Sequence, residues 1–192
     1  MLEYNTKIKQ HIETICSPLL NHLGLKFGYS RTYTNGKQFI IRTDLDLIRE
    51  LLEQDLKCVD IFSGKAITSL KDELVFALWT TKNKRKWDAY SKIYWDRGYK
   101  IGISAFKLHR DYIEGWSFSP VEYIKSFDLF CSRNLEVFKR FISHFNNKAH
   151  EFINTDVSKL KLFCCTNGPE GLKVYLPKQN LIDIEKEHKS VY

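Results

Sequence analysis

The sequence predicts an α+β fold, with helices segregated around an antiparallel sheet, on the basis of three features. Asn35-Gly36 divides residues 25–43 into two runs of aromatic and β-favouring residues, which is the pattern of a β-hairpin closed by a type I′ turn. Residues 99–118 contain a second pair of such runs and predict another hairpin. From about Val121 to Ile153 apolar residues recur every three to four positions, so we expect one long C-terminal helix.

The N-terminal region is predicted to be helical. Isoleucines recur at helical spacing within residues 4–15. Ser17-Pro18 then offers an N-cap followed by proline in the first helical position. We therefore expect a helix pair, or a kinked helix, that ends at Gly24. Asp44 is predicted to cap a further helix that runs to about Gln54.

The remaining elements are shorter. Leu74–Thr80 is an apolar run typical of a buried strand, and Trp87–Trp95 has aromatic residues at helical spacing. Lys173–Leu176 predicts a short strand. We expect residues 1–176 to form a single domain and residues 177–192 to form a polar C-terminal tail or linker.

Alternation along the second hairpin assigns its side chains to two faces of the sheet. One face is predicted to carry Tyr112, Glu114, Trp116 and Phe118, and the other Ile113, Gly115 and Ser117. Gly102 and Gly115 leave parts of the second surface without side chains. Antiparallel sheets covered by helices often hold a ligand cavity between the layers.

Composition limits the class of protein. The chain has 192 residues, of which 43% are hydrophobic, 14% aromatic and 28% charged, and this excludes disordered and low-complexity classes. The longest uncharged apolar run, Leu74–Trp79, is shorter than the ~18 residues of a membrane span. The N-terminus is charged instead of carrying a signal sequence, so we expect a cytoplasmic protein with no membrane partner. The 5 cysteines contain no CxxC pair and are predicted to be free thiols.

The charge is positive and unevenly distributed. The net charge is +7, and between Lys82 and Asp111 there are nine Lys and Arg residues against three Asp residues. This segment either forms a solvated face or binds an acidic partner such as nucleic acid. Nucleic-acid binding through Lys82–Arg110 would depend steeply on salt.

Catalytic and metal-binding motifs are not found. Gly102-Ile-Ser104 resembles part of a nucleophile elbow, but Ser104 falls inside a predicted strand instead of a strand-to-helix turn. The 6 histidines have no zinc spacing, and no phosphate-binding glycine loop is present. We therefore expect no enzyme activity, no metal and no cofactor.

Seven of the aromatic residues within residues 79–116 form a cluster on three different predicted elements. They are Trp79, Trp87, Tyr90, Tyr94, Trp95, Tyr99 and Trp116. Residues of this type suit a core, a small-molecule cavity or a platform for stacked bases, because each combines an apolar ring with a polar handle. The sequence leaves these three interpretations open.

Several motifs resemble one family. Ile15-Cys-Ser-Pro-Leu19, Gly24-Leu-Lys-Phe-Gly-Tyr-Ser-Arg31, Tyr33-Thr-Asn-Gly36 and the acidic helix from Asp44 look like the start of the N-terminal sensor domain of bacterial LuxR-type transcriptional regulators. Residues 134–149 are similar to the closing helix of that domain. The resemblance covers about Tyr4 to Ile153. It implies a PAS-like α/β/α sandwich, a regulatory input role and a homodimer.

The resemblance also implies positions for a ligand. Family members that bind acyl homoserine lactones line their cavity with a Trp, a Tyr four residues later and an Asp nine residues beyond, and the same spacing gives Leu47, Leu51 and Asp60 here. Trp87 looks similar to a later family Trp. The segment after Ile153 is shorter than the helix-turn-helix module of full regulators, so DNA contact is expected only through a module outside this chain.

These considerations predict a sensor domain that binds a small hydrophobic or amphipathic ligand between sheet and helices. Trp79, Trp87, Tyr99 and Trp116 would supply apolar contact and orienting donors, and Asp60 would accept a hydrogen bond from a ligand N–H. The alternative is a stand-alone interaction module that pairs with full-length regulators without any ligand.

Overall fold

The computed structural model describes residues 1–33, 37–53, 58–60, 74–80, 89–156, 160, 163–167, 172–175 and 181–183. The helices in this part of the chain are α1 (Leu2–Leu23), α2 (Leu45–Glu53), α3 (Ala89–Asp96), α4 (Phe127–Arg133), α5 (Leu135–Lys148) and α6 (His150–Ile153). The strands are β1 (Leu25–Tyr33), β2 (Lys37–Arg42), β3 (Cys58–Asp60), β4 (Val75–Thr80), β5 (Ile101–Leu108), β6 (Tyr112–Pro120), β7 (Phe163–Asn167), β8 (Leu172–Tyr175) and β9 (Leu181–Asp183).

The strands form one sheet in the order β3-β7-β2-β1-β6-β5-β4-β8-β9. The five central strands, β2 to β4 in this order, are all antiparallel to their neighbours, which confirms the predicted α+β class. At one edge β3 pairs with β7 in parallel. Strand β9 pairs with β8 and lies inside the segment predicted as a tail, so part of residues 177–192 belongs to the sheet. The turn of the first hairpin, residues 34–36, lies outside the described residues.

Of the two expected arrangements, a helix pair or one kinked helix, the pair is not found, because α1 is one continuous element with Pro18 inside it. Proline has no N–H and cannot donate to the carbonyl of Thr14, four residues earlier. The Ser17 hydroxyl donates to that carbonyl oxygen at 2.9 Å and replaces the missing bond. The helix ends at Gly24, whose φ of 60° closes it in the left-handed conformation, as predicted.

The C-terminal periodic segment does not form one long helix but three consecutive helices, α4 to α6. The first interruption is Asn134, whose side-chain amide donates to the Phe130 carbonyl at 2.8 Å and so competes with the helical backbone. The second falls at Ala149. The periodicity correctly identified the buried side, since Phe138, Phe141, Phe145 and their neighbours in the stripe are buried.

The two faces of the central sheet carry different side chains, and helix α5 packs on one of them. The aromatic face carries Leu25, Phe27, Tyr29, Phe39, Ile41, Ile103, Ala105, Trp116 and Phe118. Helix α5 covers it with Phe138, Phe141 and Phe145, and the rings of Phe27 and Phe145 have centroids 4.6 Å apart. The opposite face, here called the small-residue face, carries Gly28, Ser30, Gly102, Ser104, Gly115, Ser117 and Ser119 in its central strands, together with the larger Phe106.

A buried asparagine completes the outer edge of β2. The Asn5 side chain is fully buried, and its amide nitrogen donates to the Ile40 carbonyl at 2.9 Å. Its amide oxygen accepts a bond from the Arg42 N–H at 2.8 Å. The side chain therefore satisfies strand groups beyond the two residues, Lys37 and Gln38, that pair with β7.

Helix α2 begins as predicted, because the Asp44 carboxylate accepts a bond from the Leu47 N–H at 3.0 Å. None of the described helices combines the length and the apolar composition needed to cross a membrane.

Candidate functional site: the small-residue face

The small-residue face is built by the register of β1, β6, β5 and β4. Ser30 lies opposite Gly115, and Ser104 lies opposite Ser117. On the next strand Trp79 lies opposite Gly102. Directly opposed residues share a face, so these glycines and serines lie together and are flanked by the Trp79 indole and by Phe106, which lies opposite Gly115.

Three polar groups on this face form a hydrogen-bonded chain. The Trp79 indole N–H donates to Ser104 Oγ at 3.1 Å, and Ser104 Oγ lies 2.9 Å from Ser117 Oγ. Ser104 is 1% exposed, whereas Trp79 and Ser117 are partly exposed. An indole can only donate. Either serine can donate the hydrogen bond between them. When the Ser104 hydroxyl is the donor, the Ser117 hydroxyl keeps its own hydrogen free to donate to a ligand oxygen.

Two glycines determine how closely side chains approach this surface. A Cβ on Gly102 would come within 2.2 Å of Trp79 Cζ2, so the indole lies directly against the strand backbone. A Cβ on Gly115 would come within 2.9 Å of Ser30 Oγ and 3.3 Å of the Phe106 ring. Glycine is therefore required at both positions for the flanking side chains to lie where they do.

Cations and aromatic rings close one end of the same face. The Arg42 guanidinium carbon lies 5.1 Å from the centre of the Tyr94 ring and 5.9 Å from that of Tyr99. Lys26 Nζ lies 4.6 Å from the Tyr99 ring centre. The Tyr99 hydroxyl donates to Asp44 Oδ2 at 2.9 Å. Burial raises the pKa of Tyr99, while the nearby Arg42 charge lowers it and Asp44 raises it, so this phenol stays protonated.

The structure separates the residues that the sequence predicted as one site. Trp79 and Tyr99 lie against the small-residue face. Trp116 lies on the aromatic face, is 1% exposed and donates from its indole N–H to Asn146 Oδ1 on α5 at 3.1 Å. Its placement in the same cavity as Trp79 was wrong, because the two strands put these indoles on opposite sides of the sheet.

Of the two other predicted ligand residues, the structure describes only the backbone of Asp60. The backbone of Asp60 lies in β3, with five strands between it and β4, which carries Trp79. At ~4.8 Å per strand this is about 29 Å across the sheet. The Asp60 side chain and the whole of Trp87 lie outside the described residues, as do the basic residues 82–86.

Sequence reasoning did not assign a ligand role to Ser104 and Ser117. The alternation in 112–118 placed Ser117 on the face opposite Trp116, and this is confirmed. The candidate site is recognised from two cross-strand pairs, Ser104 with Ser117 and Gly102 with Trp79. Those cross-strand partners depend on register, which residue order within one strand does not contain.

Other features of the described part of the chain are less suited to an apolar ligand. A surface hollow of about 530 Å³ is lined by Asp46, Arg49, Glu50, Glu53 and Arg97. Its charged side chains pair with one another, since Arg97 Nε lies 2.7 Å from Glu50 Oε2 and Arg49 Nη1 lies 2.7 Å from Asp46 Oδ1. Among the described residues no group of three His, Cys, Asp or Glu side chains could hold a metal ion.

No family model and no curated protein matches this chain by sequence comparison. The candidate site is therefore defined by the geometry of the small-residue face and by the residues that line it.

Proposed function

We propose that this chain is a regulatory sensor domain of the LuxR type, which binds a small hydrophobic or amphipathic ligand on the small-residue face and signals through dimerisation. The observation that supports it most is the chain of Trp79, Ser104 and Ser117. It is a chain of donors and acceptors whose two ends, Trp79 and Ser117, are partly exposed and lie beside aromatic rings packed on glycines. Ligand sites in proteins typically combine apolar lining with a few convergent polar groups of this kind.

The apolar part of the ligand would contact the Trp79 indole, which lies over Gly102, and the Phe106 ring, which lies close to Gly115. Its polar part would be a hydrogen-bond acceptor, such as a carbonyl oxygen, placed within reach of the Ser117 hydroxyl. The cationic end formed by Lys26 and Arg42 favours a ligand without positive charge.

A ligand that binds only the folded or dimeric form shifts the equilibrium toward that form. The response would then reach DNA through a helix-turn-helix module outside this chain. The sequence resemblance supports this part of the proposal, and the small-residue face supports the ligand.

The first experiment is native mass spectrometry of the purified protein, followed by a spectrum of the same sample after denaturation. We expect a bound small molecule that is released on denaturation. The identified compound is then titrated against Ser117→Ala and against the control Ser132→Ala, whose hydroxyl bonds only within its own helix in the described structure. Loss of one hydrogen bond to the ligand should weaken binding about tenfold in Ser117→Ala alone.

An unliganded wild-type mass, together with no thermal stabilisation by amphipathic carbonyl compounds, would contradict the ligand proposal. Equal binding by both serine variants would contradict the placement of the site while leaving a sensor role intact.

A second candidate is the interaction module that pairs with other regulators without a ligand, and exposed apolar side chains favour it. In the described structure the exposed large hydrophobic residues are Leu20, Val121, Tyr123, Leu129 and Val137, and Tyr123 is 85% exposed. The Val121 N–H donates to the Gly24 carbonyl at 2.8 Å, which joins the end of α1 to the loop before α4. A hetero-complex in the native spectrum, with no small molecule released, would favour this candidate.

A further inference from the structure

The last turn of α6 is held by side chains from two other elements. The Tyr4 hydroxyl of α1 donates to the Phe152 carbonyl at 2.6 Å. Arg31 Nη1 of β1 donates to the Ile153 carbonyl at 2.6 Å, and its Nη2 donates to Asn154 Oδ1 at 3.2 Å. The final carbonyls of a helix have no partner within the helix. These two side chains therefore supply donors where the backbone of α6 cannot.

Arg31 is in turn fixed by groups on the sheet. Its Nη2 lies 3.4 Å from Glu114 Oε1 on β6, and its guanidinium carbon lies 4.8 Å from the centre of the Tyr112 ring. The Glu114 side chain is only 7% exposed. It also accepts a hydrogen bond from the Tyr29 hydroxyl and lies 3.1 Å from His109 Nε2. Tyr29 and His109 thus hold the Glu114 carboxylate in place, so it offers Arg31 a fixed partner.

Apolar burial holds the same segment only weakly. From His150 to Asp156, Ile153 is the one buried residue of this described stretch, and Phe152 is partly buried. His150, Glu151 and Asn154 are exposed. The hydrogen bonds from Tyr4 and Arg31 are therefore a large share of what keeps this segment against the sheet.

We propose that Arg31 is a latch, a positioning residue that fixes where the chain leaves the sheet after Ile153. In the docked state its guanidinium binds the Ile153 carbonyl and the Asn154 side chain while Glu114 holds it in place. In the released state these bonds are broken and residues 150–156 separate from the sheet. The sheet itself keeps its structure. The latch lies on the aromatic face, so it does not depend on the ligand site proposed above.

The test is hydrogen–deuterium exchange of the full chain, resolved by peptide. Arg31→Met keeps the aliphatic stem and removes the donors. We expect peptides covering 150–156 to exchange at least tenfold faster, while peptides covering β5 and the N-terminal half of α5 exchange as in the wild type. The control is Arg49→Met, because Arg49 pairs with exposed Asp46 on the surface, and it should change nothing in 150–156.

Unchanged exchange in 150–156 for Arg31→Met would overturn the latch, since apolar contacts alone would then hold the segment. Equal acceleration across β5 and α5 would also overturn it, because Arg31 would then stabilise the whole sheet. If Arg31→Met does not fold, Asn154→Ala tests the proposal instead. This variant removes the side-chain oxygen that accepts from Arg31 Nη2, and it changes no residue of the sheet. It should raise exchange severalfold in the same peptides only, and no increase there would count against the proposal.

Discussion

On the aromatic face of the central sheet, Phe27 and Phe118 meet the rings of α5, whereas on the small-residue face the same strands present Gly115, Ser104 and Ser117. The first surface buries large rings against rings and leaves no polar group of Trp116 without a partner. The second surface carries mostly glycine and serine, and it leaves Trp79 and Ser117 partly exposed. The aromatic face therefore holds most of the ring packing, and the small-residue face is the one on which we propose that the ligand binds.

The largest expected effect comes from deleting a ring on the aromatic face. Phe145 is fully buried and contacts both Phe27 and Tyr29. Phe145→Ala should lower the free energy of unfolding by about 3–5 kcal/mol, because it removes buried area and leaves a cavity. Urea denaturation measures this change. Val137→Ala, on an exposed position of the same helix, should cost less than about 0.5 kcal/mol, and equal losses would refute the contrast.

A substitution on the small-residue face should act through strain. Gly102→Ala would place a Cβ 2.2 Å from Trp79 Cζ2, so the indole must move. We expect a loss of about 1–3 kcal/mol in stability, as for other overpacked sites, and a shift in tryptophan emission. Unchanged emission and stability would show that Trp79 does not lie against Gly102.

Removing each indole N–H in turn compares the two faces directly. Trp116→Phe loses the bond to Asn146 and should cost about 1 kcal/mol of stability with no effect on ligand binding. Trp79→Phe loses the bond to Ser104 and should weaken binding of the identified ligand more than it lowers stability. Thermal melts with and without ligand separate these two effects, and the reverse pattern would place the site on the aromatic face.

The smallest effect concerns alkaline pH. Burial raises the pKa of the Cys16 thiol to about 12 and also raises that of Tyr29. The unfolded chain releases these protons at lower pH than the folded chain does, so their stabilising contribution is complete below the unfolded pKa and is lost as pH rises toward the folded pKa. Melting temperatures should therefore fall between about pH 9 and pH 11. A melting temperature that rises over this interval would contradict the burial of these groups.

The same difference between faces explains which parts of the site were predictable. Trp79 and Tyr99 were predicted as site residues because aromatic residues with polar handles are visible in the sequence, and both lie against the small-residue face. Trp116 has the same chemistry and was assigned to the same cavity, but alternation along β6 places it with α5. Asp60 was assigned from a family spacing, and its strand lies at the far side of the sheet order.

The sequence by itself determined the α+β class, both hairpins, the capping of α2 by Asp44 and the buried side of the C-terminal helices. These follow from local alternation, turn residues and helical spacing, which are properties of neighbouring residues. Only the tertiary structure decided that α1 continues through Pro18, that Asn134 divides the C-terminal helices, and that Ser104 meets Ser117 beside Trp79. Each of these depends on which atoms lie within hydrogen-bond reach once the chain is folded, and such distances are fixed by strand register and packing.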